Sequence, residues 1–305
     1  MTEGRIWLDG DLVKWDEAKI HVLTHGLHYG TGIFEGIRCY KTVNGLAVFR
    51  LPDHIHRLTE SGKIYFMDLG FSKDQLQEAV IKTIKANKIG ECYIRPIAYY
   101  GYGKMGVNPM PNRVSVAIAV WEWNEYLKAD KSEIGVRVMV SAWTRIDNRS
   151  MPMHAKATAN YANSALARVE ALKAGFDEAI MLNSDGMVVE ASAENIFLVK
   201  DDSLITPPVS SGALNGITRD SILTLAKEHE IHCEIRNISR DELYIADELF
   251  LTGTAAEVKA VGEIDNRLIG NRKIGPITKR LKKNFEQVVH GRDKKFSKIW
   301  LTSIS

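Results

Sequence analysis

Cysteine is scarce: Cys39, Cys92 and Cys233 are the only three in 305 residues, far apart and odd in number. With no C-x-x-C spacing, neither a disulfide framework nor a thiolate zinc site is indicated, and a reducing, cytoplasmic setting suits the composition. Long apolar runs are missing too, and none approaches the roughly 18 residues of a membrane span. The start, MTEGRIWLDGD, is charged at once and does not read as a signal peptide. Charge of one sign is also lacking. Forty Lys and Arg against 38 Asp and Glu leave a net +2. Spread along the chain, that balance lends no support to a nucleic-acid or membrane-surface partner. No G-x-G-x-x-G follows a strand and opens a helix, which argues against a nicotinamide cofactor, and no G-x-x-x-x-G-K-[ST] is present.

What remains is an ordinary globular composition, 45% hydrophobic and 26% charged. The length exceeds the usual single core, so one large domain or two are expected. Arg5–Leu8 and Leu12–Trp15 flank Asp9-Gly10, and Gly32–Tyr40 and Leu46–Phe49 flank Asn44-Gly45, two hairpin signals. Pro52 opens a helix to about Tyr65, and Ser72-Lys73-Asp74-Gln75 is a capping box before a second, with Leu76, Val80, Ile81 and Ile84 on one side. Strands are expected at Cys92–Tyr100, Val114–Trp121, Val136–Ser141, Glu178–Leu182, Met187–Val189, Ile196–Val199, Cys233–Arg236, Glu248–Leu251 and Val258–Ile264. Helices are expected at Asn160–Ala174, Thr218–His229, Arg240–Ile245 and Pro276–Val289. The polar stretch Asn124–Glu133 reads as a linker. Strands and helices mix without strict alternation, which favours two α+β domains over a Rossmann fold.

The densest chemistry lies between Val188 and Asp220. Glu190 follows an apolar strand, and Gly216-Ile217-Thr218 opens a helix whose free N–H groups and dipole suit an anion. A carboxylate and a helix start suit a ligand with a basic ring nitrogen and a phosphate, and pyridoxal 5'-phosphate (PLP) is one. Its chemistry needs an acid to keep the ring nitrogen protonated and a lysine that can lose its proton near neutrality. Lys156 lies among small neighbours in HAKATANY, five residues before Tyr161, which opens a helix with Ala165, Val169 and Leu172 toward the core. Alone, Lys156 reads as a surface charge, Tyr161 as a core tyrosine, Glu190 as a strand-end residue and Thr218 as an N-cap. The small-residue loop Thr252-Gly253-Thr254-Ala255-Ala256 could form an anion nest, and Arg57 could add a charge-assisted bond to a phosphate or be a plain helix-face arginine. His21, His25 and His28 have metal-like spacing, but no acid or cysteine completes a set, and Gly26 and Gly30 argue for a loop; no metal is expected. His54 and His56 would point to different sides of a helix and read as structural.

Taken together, HGLHYGTGIFEGIR (25–38), YIRP (93–96), MGVNP (105–109), KATANY (156–161), EASAENIF (190–197), TPP (206–208), GITR (216–219) and TGTAA (252–256) resemble the branched-chain amino acid aminotransferases, fold-type IV PLP enzymes. Any one of these is weak; their order and spacing are specific, and the resemblance spans Trp7 to about Val289. It implies an α+β, D-amino acid aminotransferase-like fold: a smaller N-terminal α/β domain at 1–123, an interdomain loop at 124–134, and a larger PLP-binding domain at 135–305. It implies Lys156 as the Schiff-base lysine and proton carrier, Glu190 at the pyridine nitrogen, Tyr161 at the ring hydroxyl and Leu214 on the ring face. Arg57, Ile217, Thr218 and Thr254 would bind the phosphate. Tyr93 and the turn Thr254, Ala255, Ala256 would hold the substrate α-carboxylate. Phe34, Trp123, Tyr126 and Ala256 would line an apolar pocket. Tyr29 and Val107 would come from a partner subunit, so a homodimer is the minimal unit and a hexamer is open.

The pocket must also admit glutamate, whose γ-carboxylate is costly to bury unpaired. On a strand, Tyr93 and Arg95 share a side, so Arg95, with Tyr29, could pair with that distal carboxylate. Ala191-Ser192-Ala193 and Ala157-Thr158-Ala159 stand where this family often has glycines, and their methyls could narrow the site. The activity implied is transfer of the amino group of L-leucine, L-isoleucine or L-valine to 2-oxoglutarate. Rivals of the same fold are a D-amino acid transaminase, an amine transaminase and an aminodeoxychorismate lyase. Rivals of another class are a phosphate-ligand binding protein and a metal hydrolase using the three histidines. The tail Gly291–Ser305, basic and then apolar, is expected to dock on its own subunit.

Overall fold

The computed structural model describes residues 4–123 and 134–304. The chain divides into two compact units, one of Met1–Asn124, Ala155–Ala159 and Val288–Ser305, the other of Glu125–His154 and Asn160–Gln287. The expected linker Asn124–Glu133, and with it Tyr126, lies outside the described residues.

The first unit opens with a hairpin, β1 (Arg5–Leu8) and β2 (Asp11–Lys14). Its turn places Asp9 at φ 50° and Gly10 at φ 112°, the two left-handed positions that a tight hairpin turn needs. A short helix α1 (His25–Tyr29) follows, ended by Gly30 at φ 66°. Gly26 therefore lies within a helical turn and Gly30 closes it, where a loop was expected. Next come β3 (Gly32–Phe34), β4 (Ile37–Thr42), β5 (Gly45–Phe49), α2 (Leu51–Ile64), α3 (Lys73–Asn87), β6 (Cys92–Tyr100) and β7 (Val114–Glu122). The expected single strand Gly32–Tyr40 is thus two, broken at Glu35-Gly36. A Cβ on Gly36 would overlap the Tyr93 hydroxyl, so the close approach of that ring requires glycine here. The capping box before α3 forms as expected, Ser72 accepting from the Gln75 amide and Gln75 from the Ser72 amide. On β6, Cys92, Ile94, Ala98 and Tyr100 enter one core with Ile55 and Leu58 of α2 and Leu76, Val80 and Ile84 of α3. Strand alternation turns Tyr93 and Arg95 to the opposite face.

The second unit contains β8 (Val136–Val140), α4 (Asn160–Lys173), β9 (Glu178–Leu182), β10 (Val188–Ala191), β11 (Asn195–Lys200), β12 (Ser203–Thr206), α5 (Ile217–Glu228), β13 (Cys233–Ile235), β14 (Glu248–Gly253), β15 (Glu257–Ile264), β16 (Arg267–Leu268) and α6 (Pro276–Val289). The sheet runs β10-β9-β8-β15-β14-β11-β12-β13, with β16 on β15. Parallel pairs (β8 with β9 and with β15, β12 with β13) mix with antiparallel ones, which fits an α+β fold. The expected helix Arg240–Ile245 is only a 3-10 turn, Asp241–Tyr244. The expected core face of α4 is corrected. Asn160, Ser164, Ala167 and Ala171 are its buried residues, while Val169 and Leu172 are each 54% exposed and Ala165 is exposed. Small side chains on that face let the helix sit close to Ala179 and Met181 of β9.

The tail completes the first unit. A short helix α7 (Phe296–Trp300) leads into β17 (Leu301–Ser303), which pairs antiparallel with β5. The first unit's sheet therefore runs β17-β5-β4-β6-β7-β1-β2, with β3 on β6.

Candidate active site

In the first unit the chemistry gathers around Lys156. Segment 155–159 lies along β3: the Phe34 amide donates to the Lys156 carbonyl at 2.9 Å and the Thr158 amide to the Gly32 carbonyl at 2.9 Å. The Lys156 amide donates to Ser61 Oγ of α2 at 3.1 Å. Backbone bonds on two sides thus fix where the side chain starts. Its Nζ lies 5.0 Å from the centre of the Phe34 ring. The residue as a whole is half-buried, yet desolvation of the amine and then the Arg57 charge lower its pKa to about 8; Glu35 and Tyr93 pull upward and Arg95 adds to the fall.

Glu35 is fully buried. Its Oε1 accepts from Arg57 Nε at 2.6 Å, and its Oε2 from Arg57 Nη2 at 2.9 Å and His54 Nδ1 at 2.8 Å. Burial pushes this carboxyl up, but Arg57 and His54 together overcome it and hold the group well below the usual carboxylate range. Burial in turn lowers His54, which leaves a neutral ring donating through Nδ1. His54 is buried and His56 exposed, the opposite sides expected of them.

On the other face of β6, the Arg95 guanidinium lies over three rings, 4.8 Å from Phe34, 5.3 Å from Tyr93 and 6.0 Å from Trp121. Arg95 Nη2 donates to the Tyr93 hydroxyl at 3.3 Å, while Arg95 Nε is buried with no hydrogen bond among the described residues. The Trp123 ring stacks on Tyr93 at 4.4 Å. Phe34, Tyr93, Arg95 and Trp123, four residues singled out in the sequence, therefore stand together. Tyr29 on α1 and Val107 in the β6–β7 loop are 42% and 83% exposed. The three histidines bind locally instead: His25 to Thr31 Oγ1 and the Gly106 carbonyl, His28 to the Val22 carbonyl, and His21 Nδ1 to the Leu23 amide. Among the described residues no cluster of His, Cys, Asp or Glu could hold a metal.

In the second unit, Glu190 is buried on β10. Its Oε1 meets Arg145 Nη2 at 2.7 Å, and its Oε2 accepts from Asn195 Nδ2 at 3.2 Å and the Leu214 amide at 3.1 Å. Arg145 Nη1 donates to Ser164 Oγ at 2.9 Å. These charge-assisted bonds favour the ionised carboxylate. Asn195 continues to the start of α5: it donates to the Leu214 carbonyl at 2.9 Å, and a Cβ on Gly216 would overlap its amide. Gly216 is the N-cap and no side chain caps the helix. Ile217 and Thr218 are buried in its first turn, Thr218 at its second position and not at the cap. An uncapped, buried helix start offers free amides that suit an anion. Thr254, Ala255 and Ala256 form the turn between β14 and β15. Just before it, the Thr252 hydroxyl is buried with no hydrogen bond among the described residues. Tyr161 stands at the first turn of α4, half-buried.

Glu35, Arg145 and Asn195, which the sequence does not single out, bond to groups that it does, and His54, read there as structural, bonds to Glu35. Glu35 had one legible signal, an acid between an apolar strand and a glycine. Arg145, in AWTRIDN, had none. PLP fits these groups: a depressed lysine amine, a forked arginine, a buried carboxylate and an uncapped helix start match its aldehyde, phosphate and ring nitrogen in kind.

Residues 32–264 match the family described as amino-transferase class IV. The branched-chain-amino-acid aminotransferase of Pseudomonas aeruginosa is 45% identical over 290 residues, covering 95% of this chain and 94% of that protein. The crystal structure of the Escherichia coli branched-chain amino acid aminotransferase superposes with a TM-score of 0.96 at 43% identity, covering 99% of this chain and 100% of that one. A T.th. branched-chain amino acid aminotransferase complexed with N-(5'-phosphopyridoxyl)-L-glutamate gives 0.94 at 43% identity, with 99% of each chain covered.

Proposed function

This chain belongs to the class IV amino-transferase family, and on that premise we propose that it is a branched-chain amino acid aminotransferase. It uses PLP to move the amino group of L-leucine, L-isoleucine or L-valine to 2-oxoglutarate, reversibly and by a ping-pong sequence. The observation that carries the reading is Lys156. Its amine is brought to about 8, beside Arg57 and Phe34. Transamination needs an amine that sheds its proton near neutrality; a passive binder of phosphate ligands does not.

When bound, PLP supplies an aldehyde carbon and an electron-withdrawing ring. Lys156 takes the α-proton from the amino acid in one half-reaction and supplies a proton to the α-carbon of the product amino acid in the other, acting as general base and then general acid. Glu190, paired with Arg145, would hold the ring nitrogen in its cationic form. Tyr161 would donate to the ring hydroxyl, and Leu214 would pack on the ring face. Arg57, the amides of Ile217 and Thr218, and Thr254 would hold the phosphate. Tyr93 and the turn Thr254–Ala256 orient the α-carboxylate.

Phe34, Trp123, Tyr126 and Ala256 receive an aliphatic side chain. Arg95, with Tyr29 of the partner subunit, receives the glutamate γ-carboxylate, and the buried Arg95 Nε with no described partner supports that role. We also propose a homodimer as the minimal active unit, with Tyr29 and Val107 serving the partner's site; their exposure, beside exposed Leu27, Tyr102 and Met110, supports it. Among the described residues no helix is long and apolar enough to cross a membrane. The three cysteines are free, which supports a reducing compartment such as the cytoplasm.

The test is the visible spectrum of the purified PLP-loaded protein before and after L-leucine, with D-alanine in parallel. Bleaching of the cofactor band by L-leucine alone is expected. Bleaching by D-alanine alone would transfer the chain to the D-amino acid branch, and no band at all would leave a binding protein.

A further inference from the structure

We propose that Glu35 is a positioning residue of this site: it holds the Arg57 guanidinium by a two-point fork and sets a carboxylate charge against the Lys156 amine. The inference rests on the reading of Lys156 as the cofactor-bearing lysine and Arg57 as a phosphate ligand.

The geometry is local and over-determined. Glu35 occupies the break between β3 and β4, and its amide donates to the Pro96 carbonyl at 2.8 Å, which ties it to β6. His54 and Arg57 are three apart on α2, so they share a face and reach one carboxylate. Arg57 uses Nε and Nη2 on the two carboxylate oxygens, a planar fork that fixes rotation as well as distance. His54 adds the third bond. A buried carboxylate is costly unless so paired. Three side-chain donors aimed at one fully buried acid therefore form a built device.

The same carboxylate weighs on Lys156. The titratable and charged groups that weigh on this amine include Arg57 and His54 from α2, Glu35 from the strand break, and Tyr93 and Arg95 from β6. Burial and both arginines favour the neutral amine, while Glu35 and Tyr93 favour the ammonium. Glu35 thus limits how far the amine falls, and keeps its titration on the alkaline side of neutrality. A glutamine of the same shape would keep the volume and lose the charge. Lys156 would then face two guanidinium groups with the opposing carboxylate gone.

The experiment uses full-length protein freed of cofactor. The rate of covalent attachment of PLP is followed by absorption across pH, and the attachment site is mapped. The native protein should show an inflection near pH 8. Glu35→Gln should move that inflection down by about one pH unit or more; an unmoved inflection overturns the electrostatic role. Glu35→Asp keeps the charge but withdraws it from the fork. Its inflection should stay near the native one, while pyridoxamine 5'-phosphate, which cannot attach covalently, should bind about tenfold more weakly. Unchanged binding overturns the positioning role. If Glu35→Gln does not fold, the aspartate variant decides alone. Attachment in the native protein at a lysine other than Lys156 would instead sink the underlying site assignment, whatever the Glu35 variants do.

Discussion

Lys156→Met should make the cofactor-free protein more stable at neutral pH. The amine titrates at about 8 in the folded chain against 10.5 in its ordinary state. Each unit is worth about 1.4 kcal/mol, so the folded protein carries a penalty of about 3 kcal/mol for its ammonium at pH 7. The folded pKa is the lower one. Below about pH 8 the whole penalty stands, and it is relieved as pH rises from about 8 toward 10.5, where the unfolded chain still holds its proton. Methionine has similar length and no charge, so it escapes the penalty at every pH. Urea unfolding of both apo-proteins, read by tryptophan fluorescence, should show the variant more stable by about 3 kcal/mol at pH 7, with the gap at least halved near pH 9.5. A variant no more stable at pH 7, or a gap that ignores pH, would refute the reasoning. The residue that makes the chemistry possible is, on this account, a cost to the fold.

Other parts of the structure make separate demands. Arg145→Met leaves a buried carboxylate without its cation and should destabilise the apo-protein by about 3–5 kcal/mol in the same unfolding assay, with much of the loss recovered when Glu190→Gln is added. Arg95→Met should lower kcat/KM for 2-oxoglutarate by about 10- to 100-fold in steady-state kinetics and lower that for L-leucine clearly less, because only the former brings a distal carboxylate, while both share the contacts of Arg95 with Tyr93 and Lys156. Ser72→Ala removes the N-cap of α3 and should cost about 1 kcal/mol in stability, with activity unaffected at permissive temperature.

Local chemistry made some of this molecule legible in advance. Asp9-Gly10 and Asn44-Gly45 mark their hairpins because a tight turn needs residues that tolerate positive φ. Ser72 and Gln75 mark the start of α3 because each satisfies the other's backbone amide. Alternation along 92–100 placed Tyr93 and Arg95 on one side, and they do hydrogen-bond. The misread features are those decided by neighbours distant in sequence. The apolar stripe of α4 looked like its core face, but contact with β9 selects the small residues Ser164, Ala167 and Ala171 instead. Glu35 and Arg145 look like ordinary charges until the fold supplies their partners. Their significance lies in burial, which local sequence does not express. The tail strand β17 has neither length nor alternation to announce it, and exists because the edge of β5 offers it hydrogen bonds.

The proposed function stands on Lys156 carrying the cofactor and moving the proton. Borohydride reduction of the PLP-loaded protein, followed by digestion and peptide mass mapping, tests it most directly. A phosphopyridoxyl mass on the peptide containing Lys156, absent from the Lys156→Ala protein together with turnover, is the predicted result. The same mass on a different lysine, or substantial turnover in the alanine variant, would contradict the account.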